Sequence, residues 1–203
     1  MSAIVALGVA AQVLATQSLA ADPAPVKADL ATHWEPPVLH TTALLIGLRH
    51  AEGVLYPDPF ADGNLKHIFE RYRDTFTKPP IFDSSKPFFE WDGDPWTINV
   101  IGHGLLGSEL YVRARICHFG WAGSLAFAAF STVAWEYVFE GSGVRPSVLD
   151  LIYTPLGGLV IGEARYIAFR GAQSIASPAF RAIFSALVDP FGELERKVMA
   201  SPC

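Results

Sequence analysis

The sequence is poor in charged residues and has no excess of basic ones. Only 17% of its 203 residues are charged, whereas about a quarter are charged in a typical globular domain. The 15 basic side chains against 20 acidic ones give a formal net charge of -5. Because nucleic-acid-binding domains present a basic surface, this composition predicts that the protein has no nucleic-acid partner.

Cysteine is also scarce, since the chain has 2. Cys117 lies inside an apolar segment and Cys203 is the last residue. Two cysteines cannot form the set of disulfides that holds small secreted domains together. We therefore predict that both are free thiols.

Several short motifs of familiar enzymes are absent from the sequence. It contains no H-E-x-x-H pair of histidines, no P-loop and no G-x-S-x-G elbow. It also lacks the Glu-x-x-His pair of di-iron helical bundles. The sequence therefore predicts no cofactor and leaves open whether the protein is an enzyme.

The N-terminal segment has the pattern of an export signal. An apolar run from Ala3 to Ala15 is followed by Ser18-Leu19-Ala20, which has the small-x-small form of a cleavage site. The run is shorter than the roughly 20 residues needed to span a bilayer, and no basic residue precedes it. We predict a signal peptide at residues 1–20 and a location in the cell envelope. An uncleaved anchor or a buried helix is the alternative.

Composition divides the remaining chain into three parts. Residues 21–94 are rich in proline and are predicted to form an arm that wraps the apolar half, with short helices at Thr41–His50 and Asp62–Thr77. Residues 95–190 are predicted to form a helical bundle, and residues 191–203 a polar C-terminal tail.

The predicted bundle has three apolar helices and a shorter fourth one. They are Trp96–His118, Trp121–Glu140, Ser147–Phe169 and an amphipathic helix from Ser177 to Asp189. The fold class is therefore all-α, a small helical bundle of three to four apolar helices with an irregular Pro-rich N-terminal arm. The spacing Gly158-x-x-x-Gly162 would let two helices approach closely.

The lengths of these helices lie near the threshold for spanning a bilayer. We therefore predict a membrane-embedded bundle with membrane lipid as a partner. A periplasmic bundle associated with the membrane, with helices that are apolar because they are central, is the alternative.

Polar side chains in these helices are spaced by about four residues and fall at the same predicted end. Asn99 and His103 begin the first helix, Glu136 and Glu140 end the second, and Ser147, Asp150 and Thr154 begin the third. This spacing keeps each group on one helical face, and an up-down-up arrangement brings the three groups together. Ionisable groups in an apolar bundle are costly unless they are paired, so this set is a candidate ligand site.

Most of these residues also have an ordinary structural explanation. Ser147-x-x-Asp150 resembles a helix-capping arrangement, His103 resembles a hydrogen-bonded core histidine, and Glu140 resembles a solvated side chain at a helix end. Glu136 has no such explanation, because it lies in an apolar run.

Two further expectations concern metals and ion pairs. Imidazole and carboxylates ligate hard or borderline cations, and the candidates of this kind are His103, Glu136, Glu140 and Asp150. No ligand motif accompanies them, so a metal is the weaker alternative. At the other end of the bundle, Glu163 is expected to form a structural ion pair with Arg113, Arg115 or Arg165.

Several residues fall in motifs that resemble a known family. The motifs are Trp96-x-x-Asn99-x-x-x-His103, Tyr111-x-x-x-Arg115, Ser131-x-x-x-Trp135-Glu136-Tyr137, Pro146-Ser147-x-x-Asp150-Leu151, Thr154-Pro155-x-Gly157 and Gly162-Glu163. Together they resemble an uncharacterised family of bacterial envelope proteins and, more distantly, VanZ-like membrane proteins. The resemblance implies an envelope setting and no particular reaction. The candidate ligand-binding or buried polar cluster comprises Asn99, His103, Tyr111, Arg115, Trp135, Glu136, Glu140, Ser147, Asp150, Thr154 and Glu163.

The sequence leaves three functions open. The first is a membrane-associated envelope protein whose polar cluster binds a lipid or a cell-wall-related ligand. The second is a small membrane-bound hydrolase that uses a metal or a His–carboxylate pair. The third is a structural or assembly protein with an envelope protein as its partner, in which the cluster is an internal hydrogen-bonded network.

Overall fold

The fold is all-helical in the part of the chain that the computed structural model describes, residues 34–198 and 203. The predicted signal peptide at residues 1–20 lies outside these residues. The described residues form eight α-helices: α1 (Glu35–Leu55), α2 (Pro57–Phe60), α3 (Leu65–Thr77), α4 (His103–Ile116), α5 (Trp121–Ala134), α6 (Val148–Gln173), α7 (Pro178–Val188) and α8 (Pro190–Val198). The all-α prediction is confirmed for the described residues.

Short helical segments of other kinds join these α-helices. A 3-10 turn covers Phe88–Glu90, π-helices cover Thr97–Gly102 and Trp135–Phe139, and a second 3-10 turn covers Glu140–Ser142. The two helices predicted as continuous, Trp96–His118 and Trp121–Glu140, are thus each divided into an α part and a π part. π-helical turns are frequently found at functional sites, and both of these carry residues of the predicted polar cluster.

Helices α4 and α6 pack closely against each other through glycines. A Cβ atom at Gly158 would lie 2.5 Å from the carbonyl carbon of Gly107, and one at Gly162 would lie 2.7 Å from the Tyr111 ring. Side chains at these positions would force the two backbones apart. Helix α4 is the central helix, and every one of its residues except Leu105 is buried.

The N-terminal arm is more helical than predicted. Helix α1 extends beyond the predicted Thr41–His50 on both sides, and its first turn contains Pro36 and Pro37, which are tolerated there. Leu45 of α1, 2% exposed, belongs to the hydrophobic core. Helix α3 begins after Asn64, whose side chain caps it.

The C-terminal region differs from the predicted polar tail, because helix α8 occupies its first part. Glu195 of this helix pairs with Arg113 at 3.3 Å, and Arg196 pairs with Asp189 at 3.2 Å. The prediction missed the helix because its charged residues indicated a solvated segment, whereas two of those charges have partners in the core.

Cys117 and Cys203 form a disulfide, with their Cα atoms 4.6 Å apart. The prediction of free thiols is therefore wrong. The two cysteines are 86 residues apart, and no local pattern in the sequence indicates that the C-terminus returns to the end of α4.

Within residues 34–198, no helix combines the length and the hydropathy needed to cross a bilayer. Helix α6 has 26 residues, but it carries Asp150, Glu163, Arg165 and Arg170. The predicted membrane-spanning character is therefore not supported for the described helices.

Candidate functional site

His103, Glu136 and Asp150 come together at one end of the bundle. His103 begins α4, Glu136 lies in the π-helix after α5, and Asp150 lies in the first turn of α6. Each side chain contributes one nitrogen or oxygen atom, and these three atoms all lie within 4.8 Å of one another. The three residues are buried, with 8%, 2% and 3% of their surface exposed. The fold therefore brings together ionisable groups from three separate helical segments.

The Glu136 carboxyl bridges the junction between α5 and α6. Its Oε2 accepts the backbone N–H of Ser147 at 2.8 Å, whereas its Oε1 is buried without a hydrogen-bond partner among the described residues. The Ser147 hydroxyl accepts the N–H of Asp150 at 3.2 Å and so caps α6. The predicted capping arrangement is confirmed. In a capping box, the side chain of the third helical residue accepts the backbone N–H of the N-cap residue. Here the N-cap residue is Ser147, and its N–H is accepted by Glu136 from another helical segment.

The His103 imidazole contacts two side chains of α6. Its Nδ1 lies 3.0 Å from the Thr154 hydroxyl and 3.6 Å from Asp150 Oδ1. A separation of 3.6 Å is too long for a hydrogen bond, and Asp150 Oδ1 has no such partner among the described residues. Asp150 and Thr154 are one helical turn apart, so the same face of α6 presents both to His103.

Asp92 also belongs to this site, although it is absent from the residues predicted from sequence. Its Oδ2 accepts the Ser147 hydroxyl at 2.7 Å, and its Oδ1 accepts the Asn99 Nδ2 at 2.8 Å. Asn99 Nδ2 also donates to the Phe89 carbonyl oxygen at 2.9 Å, and Asn99 Oδ1 is buried without a partner among the described residues. The signal for Asp92 in the sequence is its place in an acidic turn directly before the first predicted bundle helix.

Burial shifts the pKa of all three central groups toward their neutral forms. Burial lowers the pKa of His103 to about 4. Burial, and then the charge of Glu136, raises the pKa of Asp150 to about 9. Burial likewise raises the pKa of Glu136 to about 8, although the hydrogen bond from Ser147 opposes this rise. Among the described residues, no lysine or arginine forms an ion pair with either carboxyl to offset this burial.

Other carboxyls lie around this centre. Burial raises the pKa of Glu52, Asp94 and Glu140. The charge of Glu136 raises the pKa of Glu140 further. Glu140, predicted as a possible ligand, is partly buried and lies beside the three central groups instead of among them. Further acidic residues therefore surround the two central carboxyls of the site.

Three residues of the predicted cluster lie elsewhere, at the opposite end of α4. The Arg115 guanidinium donates to both carboxylate oxygens of Glu163, at 2.9 and 3.1 Å, and the Tyr111 hydroxyl donates to Glu163 at 2.7 Å. The stretch of helix from His103 to Arg115 is about 18 Å long. The prediction of one cluster is therefore wrong for these residues, and Glu163 forms the structural ion pair expected as its alternative.

Trp135 belongs to the hydrophobic core. Its indole ring is stacked on Phe139, with ring centroids 6.4 Å apart. It packs with a core formed by Leu45, Leu106, Leu110, Tyr111 and Ala128. Its position beside Glu136 in the sequence therefore reflects packing in the hydrophobic core.

A second buried network of charges, not predicted from the sequence, joins α4 to the terminal helices. Arg113 contacts Asp189 at 2.8 Å and Glu195 at 3.3 Å. His40 of α1 lies between Glu109 and Glu195 and forms an ion pair with each. Buried charges are usually paired in this way, so this network has a structural explanation.

The His103 end of the bundle differs from the other end in its charge balance. Among the described residues, neither Glu136 nor Asp150 forms an ion pair with a lysine or an arginine. The arrangement offers partnerless carboxyl oxygens and a neutral imidazole. Such groups can accept hydrogen bonds, ligate a cation or exchange a proton.

Residues 88–191 match the family described as a domain of unknown function (DUF3943). Neither a curated protein nor a solved structure matches the chain. The match covers slightly more than half of the sequence and contains His103, Glu136 and Asp150. The predicted membership of an uncharacterised family is confirmed, whereas the likeness to VanZ-like proteins stays a prediction. This chain belongs to the DUF3943 family.

Proposed function

We propose that the protein is an exported cell-envelope protein that binds a lipid or cell-wall-related ligand at the centre formed by His103, Glu136 and Asp150. One observation carries this proposal. Glu136 Oε1, Asp150 Oδ1 and Asn99 Oδ1 are buried without hydrogen-bond partners among the described residues. Each such atom costs about 1–3 kcal/mol. A ligand that brings hydrogen-bond donors or positive charge would remove this cost.

The proposed location is supported by the disulfide between Cys117 and Cys203. Disulfides persist in exported proteins and are rare in the reducing cytosol. The signal-like pattern of residues 1–20 favours the same location. An exported location does not require a helix that crosses the membrane.

The proposed class of ligand is supported by exposed aliphatic side chains on the same helical segments. Ile98, Ile101 and Leu105 belong to the first π-helix and α4, and Ile152 and Leu156 belong to α6; the exposed fraction of each is at least 37%. Exposed apolar patches mark surfaces that contact lipids or partners. A ligand with a polar head and a hydrocarbon part would satisfy both the buried oxygens and these side chains.

The proposal is tested by complementation in a host strain from which the gene is deleted. We expect the deletion to increase sensitivity to detergent and the wild-type gene to restore resistance. E136Q and H103A should fail to restore it while reaching the folded yield of the wild type. E70Q and H67A remove an exposed carboxyl and an exposed imidazole and should restore resistance. Full restoration by E136Q and H103A would overturn the proposal.

A hydrolase is the second candidate function. It is favoured by the 3.6 Å separation between His103 Nδ1 and Asp150 Oδ1, which a small movement would turn into an acid–base pair. We expect the purified protein to hydrolyse ester or phosphoester reporter substrates, and D150N to reduce the rate about 100-fold or more. Equal rates for the wild type and D150N would contradict this candidate.

A further inference from the structure

We infer that His103, Glu136 and Asp150 ligate one divalent transition-metal cation, such as Zn²⁺ or Mn²⁺. This inference rests on the proposed ligand-binding role of the same residues and names the chemistry of what they bind. Their ligand atoms lie within 4.8 Å of one another. Zn²⁺ holds nitrogen and oxygen ligands at about 2.0–2.2 Å in a tetrahedral arrangement, which places two of its ligands about 3.4 Å apart. Small side-chain rotations therefore close the site.

Each carboxyl group has an oxygen atom available for the cation. Glu136 Oε1 and Asp150 Oδ1 have no hydrogen-bond partner among the described residues, and both residues are at most 3% exposed. The other Glu136 oxygen accepts the Ser147 N–H. Hydrogen bonds of this kind orient the carboxylate ligands of metal sites.

The imidazole is oriented in the same manner. The Thr154 hydroxyl lies 3.0 Å from His103 Nδ1. The outer partner of a metal-binding histidine occupies the ring nitrogen that does not bind the metal, so Nε2 would be the ligand atom of His103. His103 is buried, with 8% of its surface exposed. The neutral imidazole is the form that binds metals. Thr154 is therefore assigned as a positioning residue for the His103 ligand.

Charge balance within the molecule supports a cation at this position. The buried acidic residues at the other end of the bundle each have an arginine partner, and these pairs are Arg113–Asp189, Arg115–Glu163 and Arg165–Glu109. Among the described residues, Glu136 and Asp150 have no arginine or lysine partner, and the acidic Asp92 lies next to them. A divalent cation would supply the positive charge that arginines supply elsewhere.

The ligand types select among divalent cations. Ca²⁺ and Mg²⁺ prefer oxygen ligands only, whereas imidazole favours Zn²⁺ and its transition-metal neighbours. One imidazole and two carboxylates therefore suit Zn²⁺ or Mn²⁺ better than Ca²⁺ or Mg²⁺.

The test is calorimetric titration of the full-length mature protein, prepared without a histidine tag and stripped with a chelator. We expect one Zn²⁺ or Mn²⁺ per chain in the wild type. H103A, E136Q and D150N should each weaken binding more than about tenfold, and T154V should weaken it about 10-fold to 100-fold. Circular dichroism melts identify which variants are folded, and only folded variants are compared.

The matched control is H67A. His67 Nδ1 lies 3.0 Å from Asp62 on an exposed surface, and this pair is an obvious place for a metal to bind adventitiously. H67A should bind one cation as tightly as the wild type. Binding that H67A abolishes, or that E136Q and T154V leave unchanged, overturns the inference. Tighter binding of Ca²⁺ than of Zn²⁺ and Mn²⁺ also overturns it.

The metal titration and the complementation experiment can fail independently. If the wild type binds no metal but E136Q does not complement the deletion, the inference of a metal site is wrong and the proposed ligand site stands. If the wild type binds metal but E136Q complements fully, the envelope function is wrong and the metal site stands.

Discussion

The backbone N–H of Ser147 donates a hydrogen bond to Glu136 Oε2 at 2.8 Å, so a side chain from the second bundle helix holds the start of the third. The other oxygen of the same carboxyl is buried and has no partner among the described residues. One side chain thus has both a structural and a candidate ligand-binding oxygen. Suitable substitutions of Glu136 separate these two roles.

We expect E136A to lower the free energy of unfolding of the metal-free protein by about 1–3 kcal/mol, because the buried Ser147 N–H loses its acceptor. E136Q retains an amide oxygen that can accept this hydrogen bond and should stay within about 1 kcal/mol of the wild type. Urea unfolding followed by circular dichroism measures both values. Equal losses in the two variants would show that the hydrogen bond to Ser147 does not stabilise the fold.

The contact between α4 and α6 depends on the absence of a side chain at Gly158. A Cβ atom there would lie 2.5 Å from the Gly107 carbonyl group, so G158A must move one backbone away from the other. We expect a loss of about 1–3 kcal/mol or more in the free energy of unfolding. G47A, on an open face of α1, is the matched control and should gain up to about 1 kcal/mol from helix propensity. Similar stabilities for the two variants would contradict the close packing.

The buried His40 should make stability depend on pH. Burial lowers the pKa of His40, but hydrogen bonds to Glu109 and Glu195 outweigh burial and the charge of Arg113, so its pKa is raised above 6.5. The stabilisation by His40 is therefore complete below pH 6.5 and is lost as the pH rises through the folded-state pKa. H40Q should lower Tm more at about pH 5.5 than at about pH 9.

The matched control for H40Q is H50Q, which removes an exposed imidazole from the same helix. The effect of H40Q at acidic pH should be about 1–3 kcal/mol, with a smaller effect for H50Q. If H40Q lowers the stability by the same amount at both pH values, the positive charge of His40 does not stabilise the fold through its ion pairs with Glu109 and Glu195.

The Cys117–Cys203 disulfide predicts the thiol content of the mature protein. Under denaturing conditions without reductant, a thiol reagent should detect no free cysteine, and after reduction it should detect both. The double variant C117S/C203S should lose about 2–4 kcal/mol of stability, measured by urea unfolding beside the oxidised wild type. Two reactive thiols in protein isolated from the envelope would contradict the disulfide.

The helical class and the meeting of His103, Glu136 and Asp150 were predictable because both depend on local patterns. Periodic apolar residues indicate helices, and short polar turns reverse the chain, so the helix ends that carry these residues fall on the same side. The capping role of Ser147 is local for the same reason. Local patterns did not indicate the π-helical segments around Asn99 and Glu136.

Tertiary structure decided which of the expected arginine partners pairs with Glu163. Arg115 and Glu163 are 48 residues apart, and the Cys117–Cys203 disulfide closes a still longer loop. Ion pairs and disulfides over such separations depend on how whole helices pack, which no short stretch of sequence encodes. The sequence by itself determined the helices and the residues at their ends. Packing determined that Arg115 neutralises Glu163 while Glu136 and Asp150 are buried without a positively charged partner among the described residues.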